Sequence, residues 1–239
     1  MDDSSMIDPL PTNPPTNDTA TVNMWADLTC PWSYLSLGRF AEAVRRYHVN
    51  GGTRQIVVEF RSFELSPDTP ADFEGSEVDF LVQHRGIDPN EALGTLATLT
   101  EIASAEGLHF DFARVRHTNS RLAHQLVHHA TTQGLQEAMV QRLMRAYFSE
   151  GRHLGRVGEL VDLAAEVGLN PVDTDKVLSD GTYADAVVSD IEAAAFFRIR
   201  ALPFLLIGPR YGVSGPHDPG YYAEVLLKTA GTSADSSEG

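Results

Sequence analysis

Two strand-like stretches with a helix between them stand near the start of this chain, and that spacing constrains the fold more than any other feature. Val22, Met24 and Ala26 alternate with Asn23, Trp25 and Asp27, the period-two pattern of a strand. Pro31 follows and suits the first turn of a helix, where its missing N–H has no intrahelical acceptor to lose. Leu37, Phe40, Ala41, Val44 and Tyr47 then share one helical face, and Asn50-Gly51-Gly52 stops the helix. Residues 56–60 form a second strand. A strand–helix–strand unit of this length needs a crossover, so the two strands are expected to run parallel.

From about residue 76 to 198 the pattern is helical throughout and punctuated by caps. Asp88-Pro89 opens a helix that Gly107 closes, and Thr118-Asn119 opens one that Gly134 closes. A helix over 135–150 ends at Gly151, one over 157–167 ends at Gly168, and Asn170-Pro171 starts another. The last long helix of the block is expected over 183–197. Strand character returns at 204–207, an apolar run suited to a sheet buried on both faces. Gly208-Pro209-Arg210 turns the chain into 211–213, and 220–229 closes it with a helix. The order is therefore βαβ, a helical block, then ββα. A sheet cannot absorb such a block, which must pack as a lid or subdomain.

Charge excludes some partners. The net charge of −15 would repel a nucleic-acid backbone or an anionic membrane surface, so neither is expected. No stretch of about 20 apolar residues could span a bilayer. The first 21 residues, a Pro/Thr/Asn mixture without an apolar h-region, read as a flexible tail rather than a signal peptide, and the cytoplasm is the expected compartment.

The chain has one cysteine, which excludes an internal disulfide and a Cys-rich zinc site. A lone cysteine is often only a small buried hydrophobe. Cys30, however, directly precedes a helix that follows a strand, where unpaired backbone N–H groups favour the thiolate. A depressed pKa and a reachable sulfur are expected on that ground. Cys30-Pro31-Trp32-Ser33 reads as a C-x-x-C motif whose second cysteine is serine.

Residues 25–35 resemble the start of the FrnE-type branch of the DsbA-like thioredoxin superfamily, which usually carries C-P-W-C. Phe63-Glu64-Leu65-Ser66-Pro67, Arg145-Ala146-Tyr147-Phe148 with Glu150-Gly151, and Leu202-Pro203-Phe204 with residues 211–215 are similar too, in family order. The resemblance covers about residues 22–230 and implies an α/β thioredoxin fold with a large all-helical insertion. Its expected parts are an N-terminal tail over 1–21, a thioredoxin-like domain over 22–75 and 199–230, a helical domain over 76–198 and a C-terminal tail over 231–239. The resemblance gives Cys30 the role of attacking thiol, puts Ser33 in the place of the resolving thiol, and matches Pro203, after Leu202, to a cis-proline beside the sulfur. Pro31 and Trp32 complete the site.

Serine at the second position changes the chemistry. A hydroxyl does not attack a mixed disulfide at neutral pH, so an outside thiol such as glutathione must resolve it. Ser33 either donates a hydrogen bond to the Cys30 thiolate or satisfies its own helix turn. No tightly bound cofactor and no metal are expected, and the partner is a small-molecule thiol or disulfide. Ser33-Tyr34-Leu35 also resembles the kappa-class glutathione transferases and 2-hydroxychromene-2-carboxylate isomerases, which carry serine at both positions and use glutathione. By that similarity Ser66, Ser214 and Asp218 are candidates for binding the thiol ligand.

Other residues have a plain reading beside the chemical one. Tyr34 is expected to pack helix onto sheet, while Trp32 either packs or lines a substrate groove. Asp27 reads as a solvated strand end rather than a proton relay, and Glu64 as a structural acid. His124 and His128 have zinc-binding i,i+4 spacing but no third ligand pattern. His117 and His124 are candidate acid–base groups facing the thiol, whereas His153 and His217 carry no motif. Three functions follow: a single-thiol oxidoreductase, a glutathione-dependent isomerase or transferase acting on a small aromatic or polyketide-like substrate, and a non-catalytic redox sensor that could form a homodimer through Cys30.

Overall fold

Strand β1 (Thr19–Ala26) is the centre of the sheet, and it starts at Thr19 rather than Val22. A computed structural model describes residues 19–70 and 73–230; residues 1–18 and 231–239, assigned to tails from the sequence, lie outside it. β1 pairs in parallel with β2 (Gln55–Ser62), from Thr19 opposite Gln55 to Ala26 opposite Ser62. Its other edge pairs antiparallel with β3 (Phe204–Ile207), which in turn pairs with β4 (Tyr211–Ser214), giving the order β2-β1-β3-β4. The crossover between β1 and β2 is helix α1 (Pro31–Val49).

α1 buries Leu37, Phe40, Ala41, Val44 and Tyr47, the stripe that the sequence shows. It packs along the C-terminal helix, where the Phe40 and Tyr222 rings meet edge-on at 5.6 Å. Gly52 follows because the Tyr47 ring lies against its backbone: a Cβ there would stand 2.3 Å from ring carbons.

The segment between β2 and β3 holds α2 (Glu77–Arg85), α3 (Pro89–Ala105), α4 (Arg121–Thr131), α5 (Gln136–Arg145), α6 (Val157–Glu166), α7 (Pro171–Ser179) and α8 (Ala184–Phe196). α9 (Pro219–Ala230) closes the described chain. Side chains cap the starts of four of them, Asp218 doing so at α9. Ser76 and Asp79 form a capping box at α2, while Asp88 and Asn170 accept first-turn N–H groups at α3 and α7.

Three details depart from the sequence reading. Residues 106–120 are not helical, and within them Arg116 forms a β-bridge with Ser76. The helix expected from 135 to 150 changes to a π-turn over Ala146–Glu150, and this wider turn carries two adjacent rings, Tyr147 and Phe148, both into the core. β3 is buried on alternate residues only: Leu205 and Ile207 are buried, whereas Phe204 and Leu206 are half-buried on the other face.

The helical block is fastened to the sheet at named points. Gln136 uses its side-chain amide like a short strand, accepting from Phe60 N–H at 3.0 Å and donating to Phe60 C=O at 3.2 Å. This satisfies backbone groups on the edge strand β2, which would otherwise invite pairing with another chain. On α8, the Asp190 carboxylate accepts from Ser62 N–H at 2.8 Å, and its carbonyl accepts from Trp25 Nε1 at 3.0 Å.

Candidate active site

The register places four chain segments at one end of the sheet. Ala26 and Ser62 end the parallel strands there, Phe204 begins β3 opposite Trp25, and Ser214 ends β4 opposite Phe204. Cys30 lies just beyond β1 with an extended backbone (φ −90°, ψ 116°), as the residue that caps α1, and Pro31 is the first helical residue. The Leu202–Pro203 peptide bond is cis, and Pro203 C=O accepts from Gly215 N–H at 2.9 Å. Cys30, Leu202, Pro203 and Ser214 thus come to the same end of the sheet, although they are far apart in sequence.

At Cys30, burial is the largest influence. The sulfur-bearing residue is 3% exposed and packs with Trp25, Ala194, Ile199 and Leu202, while half-buried Trp32, Phe63, Phe204 and Leu206 close around them. Burial pushes the thiol pKa up; the Ser33 hydroxyl and the N–H groups of Ser33 and Trp32 pull it down, and the Asp27 charge pushes it up again. The net direction is upward. The expectation of a depressed pKa is therefore corrected: the helix start is where the sequence put it, but the apolar cover over the sulfur outweighs its N–H groups. Ser33 Oγ is itself buried and has no partner of ordinary hydrogen-bond geometry, so the Cys30 sulfur is the group its hydroxyl acts on.

Asp27 is a second correction. It is buried rather than a solvated strand end. Its Oδ1 accepts from Thr29 N–H and Thr29 Oγ1, both at 3.0 Å, and its Oδ2 accepts from Leu65 N–H at 2.6 Å. Burial alone would raise its pKa, but His124 and the N–H groups of Leu65 and Thr29 more than offset this and hold the carboxyl below its ordinary value. His124 Nε2 lies 3.8 Å from Asp27 Oδ1 and 3.0 Å from the Phe63 carbonyl. The spacing Asp27-Leu28-Thr29, an acid that can accept from the N–H two residues on, was the available signal for this turn.

The other candidates divide. His124 reaches the site through Asp27 rather than by facing the thiol. His117 does not join it: Thr69 Oγ1 is 3.0 Å from Nε2, Glu77 Oε2 is 2.9 Å from Nδ1, and the Phe80 ring is stacked on it. Tyr34 packs, but onto the helical block rather than the sheet: its ring stacks with those of Phe110 and Phe148, which also stack on each other. Glu64 pairs with Arg121 at 2.8 Å. Ser66 follows Leu65, but its hydroxyl already accepts from Arg85 at 2.9 Å. Ser214 is exposed near Pro203, whereas Asp218 Oδ1 is taken up by Gly220 and Tyr221 N–H at the start of α9.

His128 points away from His124's partners, lying 3.1 Å from Asp190 Oδ2 and 3.2 Å from Ser62 Oγ. Both contacts fall on the same ring nitrogen, so the three residues cannot relay a proton from serine through histidine to acid. Among the described residues no group of three or more His, Cys, Asp or Glu is placed to hold a metal ion. No described helix is long and apolar enough to cross a membrane.

Three comparisons bear on this geometry. A probable DsbA oxidoreductase from Streptomyces coelicolor is 29% identical, with a TM-score of 0.84 over 92% of this chain and 93% of its own. The cytosolic disulfide reductase DsbM from Pseudomonas aeruginosa, solved with GSH, shares the fold at 16% identity and TM-score 0.61, over 89% of this chain and 100% of its own. A 2-hydroxychromene-2-carboxylate isomerase does so at 15% identity and TM-score 0.60, over 90% of this chain and 100% of its own. The DSBA-like thioredoxin domain matches residues 21–226, and the FrnE-type branch fits the motifs within it. With a thiol at the start of α1 and the Pro203 strand beside it, this chain belongs to the DSBA-like thioredoxin domain family and is an enzyme of the thiol–disulfide oxidoreductase kind.

Proposed function

We propose that Cys30 carries out single-thiol disulfide exchange with a small-molecule disulfide. The Cys30 thiol loses its proton to solvent and its sulfur attacks R–S–S–R. A Cys30–S–S–R bond forms, the substrate S–S bond breaks, and R–S⁻ leaves. Ser33 has no sulfur with which to displace the substrate, so a second, external thiol reduces the mixed disulfide and restores Cys30. A thiol-rich compartment such as the cytoplasm would supply it. The observation that carries this reading is Cys30 at the start of α1, with the Trp32 and Ser33 N–H groups favouring charge on its sulfur. Pro203, in the place of the family's cis-proline, would lie against the reacting disulfide.

Incubating the reduced protein with hydroxyethyl disulfide and following its mass tests the reading. A Cys30 adduct that persists until reduced glutathione is added supports it. An adduct that never forms, or that resolves unaided, sinks it.

The raised thiol pKa favours a second reading. A protonated Cys30 at neutral pH can donate its S–H to the thiolate of bound glutathione, the part serine plays in the isomerases this chain resembles. Cys30 S–H, the Ser33 hydroxyl and the two N–H groups form a donor set that fits such a sulfur. Cys30→Ser separates the readings: it abolishes disulfide exchange but retains glutathione-dependent isomerisation. The sensor reading needs the surroundings of Cys30 to open wide enough for a second copy of the chain, where exchange needs room only for a small disulfide.

A further inference from the structure

The segment from Arg198 to Leu202 does two things at once. Its apolar residues, Ile199 and Leu202, belong to the buried cluster that holds Cys30. Its two arginines, Arg198 and Arg200, flank Ile199 and are exposed. Neither has an ion-pair or hydrogen-bonded side-chain partner among the described residues. They share this with Arg210, whereas Arg39, Arg46, Arg61, Arg85, Arg121 and Arg142 each hold a carboxylate in a chain with 33 acidic and 18 basic residues; what sets the pair apart is its place next to Ile199.

Arg198 is also the one described residue other than glycine with positive φ, at 55°. Its N–H donates to Ala195 C=O at 3.0 Å and that of Ile199 to Ala194 C=O at 2.9 Å, so it ends α8 in a left-handed turn. Glycine takes that conformation at no steric cost, and a side chain does not. Arg198 thus carries an uncompensated charge next to Ile199, a member of the apolar cluster that holds Cys30.

We propose that Arg198 and Arg200 form the anion-recognition element of the site and select a carboxylate-bearing low-molecular-weight disulfide or thiol. This rests on Cys30 being the reacting thiol, as above. Guanidinium groups bind carboxylates in a two-pronged geometry. An anion docked on both arginines draws on the segment whose Ile199 and Leu202 belong to the cluster that holds Cys30, so binding and uncovering share one element. Of the candidates from sequence, Asp218 lacks the charge for this task and has its Oδ1 engaged by its own helix start.

The test compares the full-length protein with Arg198→Gln/Arg200→Gln and, as a control, Arg210→Gln, an equally exposed and unpaired arginine at the opposite end of β3. Rates of Cys30 adduct formation are measured with glutathione disulfide, which is anionic, with neutral hydroxyethyl disulfide and with cationic cystamine. The expected result is that the rate ratio of glutathione disulfide to hydroxyethyl disulfide falls about tenfold in the double variant, while the ratio for cystamine rises. Arg210→Gln should leave both ratios where they are, and added salt should erode the wild-type preference. Ratios that do not move in the double variant, or that move equally in Arg210→Gln, overturn the proposal. If Cys30 reacts with none of the three disulfides, the reading of Cys30 itself falls, and this assignment falls with it.

Discussion

Leu65 N–H donates to Asp27 Oδ2 at 2.6 Å, tying the residue three before the thiol to the loop that leaves β2. The charge so held belongs among the influences on Cys30, because it opposes the helix N–H groups and pushes the thiol pKa up. Asp27→Asn removes that charge and should bring the pH midpoint of Cys30 alkylation down. Asparagine has one acceptor where the carboxylate has two, so either Thr29 or Leu65 N–H loses its partner at a cost of about 1–3 kcal/mol. Iodoacetamide rates against pH, together with urea unfolding, check both halves. A midpoint that stays put would remove Asp27 from the account of the thiol.

Ser33→Ala separates stability from reactivity. Ser33 Oγ is buried without a partner of ordinary hydrogen-bond geometry, so deleting it should leave the fold unchanged or more stable by about 1 kcal/mol. The same hydroxyl favours the thiolate, so its loss should slow alkylation at any pH below the midpoint and move that midpoint up. Because the wild-type thiol already sits above its ordinary pKa, the folded state binds its proton more tightly than the unfolded chain. Stability from this residue is thus present below the ordinary thiol pKa and declines as pH rises through the folded value. A Ser33→Ala protein that is clearly less stable and alkylates as before would contradict the assignment.

Local patterns made the fold legible, and long-range packing hid part of the site. The strand alternation at Val22–Met24–Ala26, Pro31 at a helix start and the Asp88 and Asn170 caps each have a local cause, and each appears in the structure. Cys30 was found for the same reason, since its position before α1 is local. Its burial is not local, because Ile199 and Leu202, which share its apolar cluster, come from far along the chain. Asp27 was misread because its partners Leu65 and His124 come from other elements. The π-turn at Ala146–Glu150 leaves no period to read, since the residues before it look like an ordinary helix.

Asp190 ties α8 to the sheet, and α8 leads directly into the cover over Cys30. Burial raises its pKa, but His128, the Ser62 N–H and Arg61 together hold it below the ordinary value. Asp190→Ala leaves the Ser62 N–H without its acceptor and His128 with only the Ser62 hydroxyl, and should cost about 2–4 kcal/mol at neutral pH. A depressed folded pKa contributes stability above the unfolded carboxylate value and loses it as pH falls through the folded one. The gap between wild type and variant should therefore narrow in acid. A looser α8 should also speed Cys30 alkylation at fixed pH. Unfolding curves at neutral and acid pH test the first claim, and a gap that widens in acid would refute it.

Gly151 closes the π-turn and stands in the Glu150-Gly151 pair that resembles the family. Its φ is +70°, and a Cβ there would lie 2.5 Å from the Arg114 carbonyl oxygen. Alanine thus meets two obstacles, a backbone conformation disfavoured by about 1 kcal/mol and a contact with main chain that cannot swing aside. Gly107 has positive φ as well, at +78°, but has nothing within 4 Å of its would-be Cβ. Gly107→Ala should accordingly cost only the conformational part, about 1 kcal/mol, while Gly151→Ala should cost roughly 2–4 kcal/mol. Thermal or urea unfolding of the two variants side by side isolates the contact, because the conformational cost is common to both. Equal losses would mean that Arg114 can move away, and that the turn carrying Tyr147 and Phe148 into the core is held by something other than this close approach.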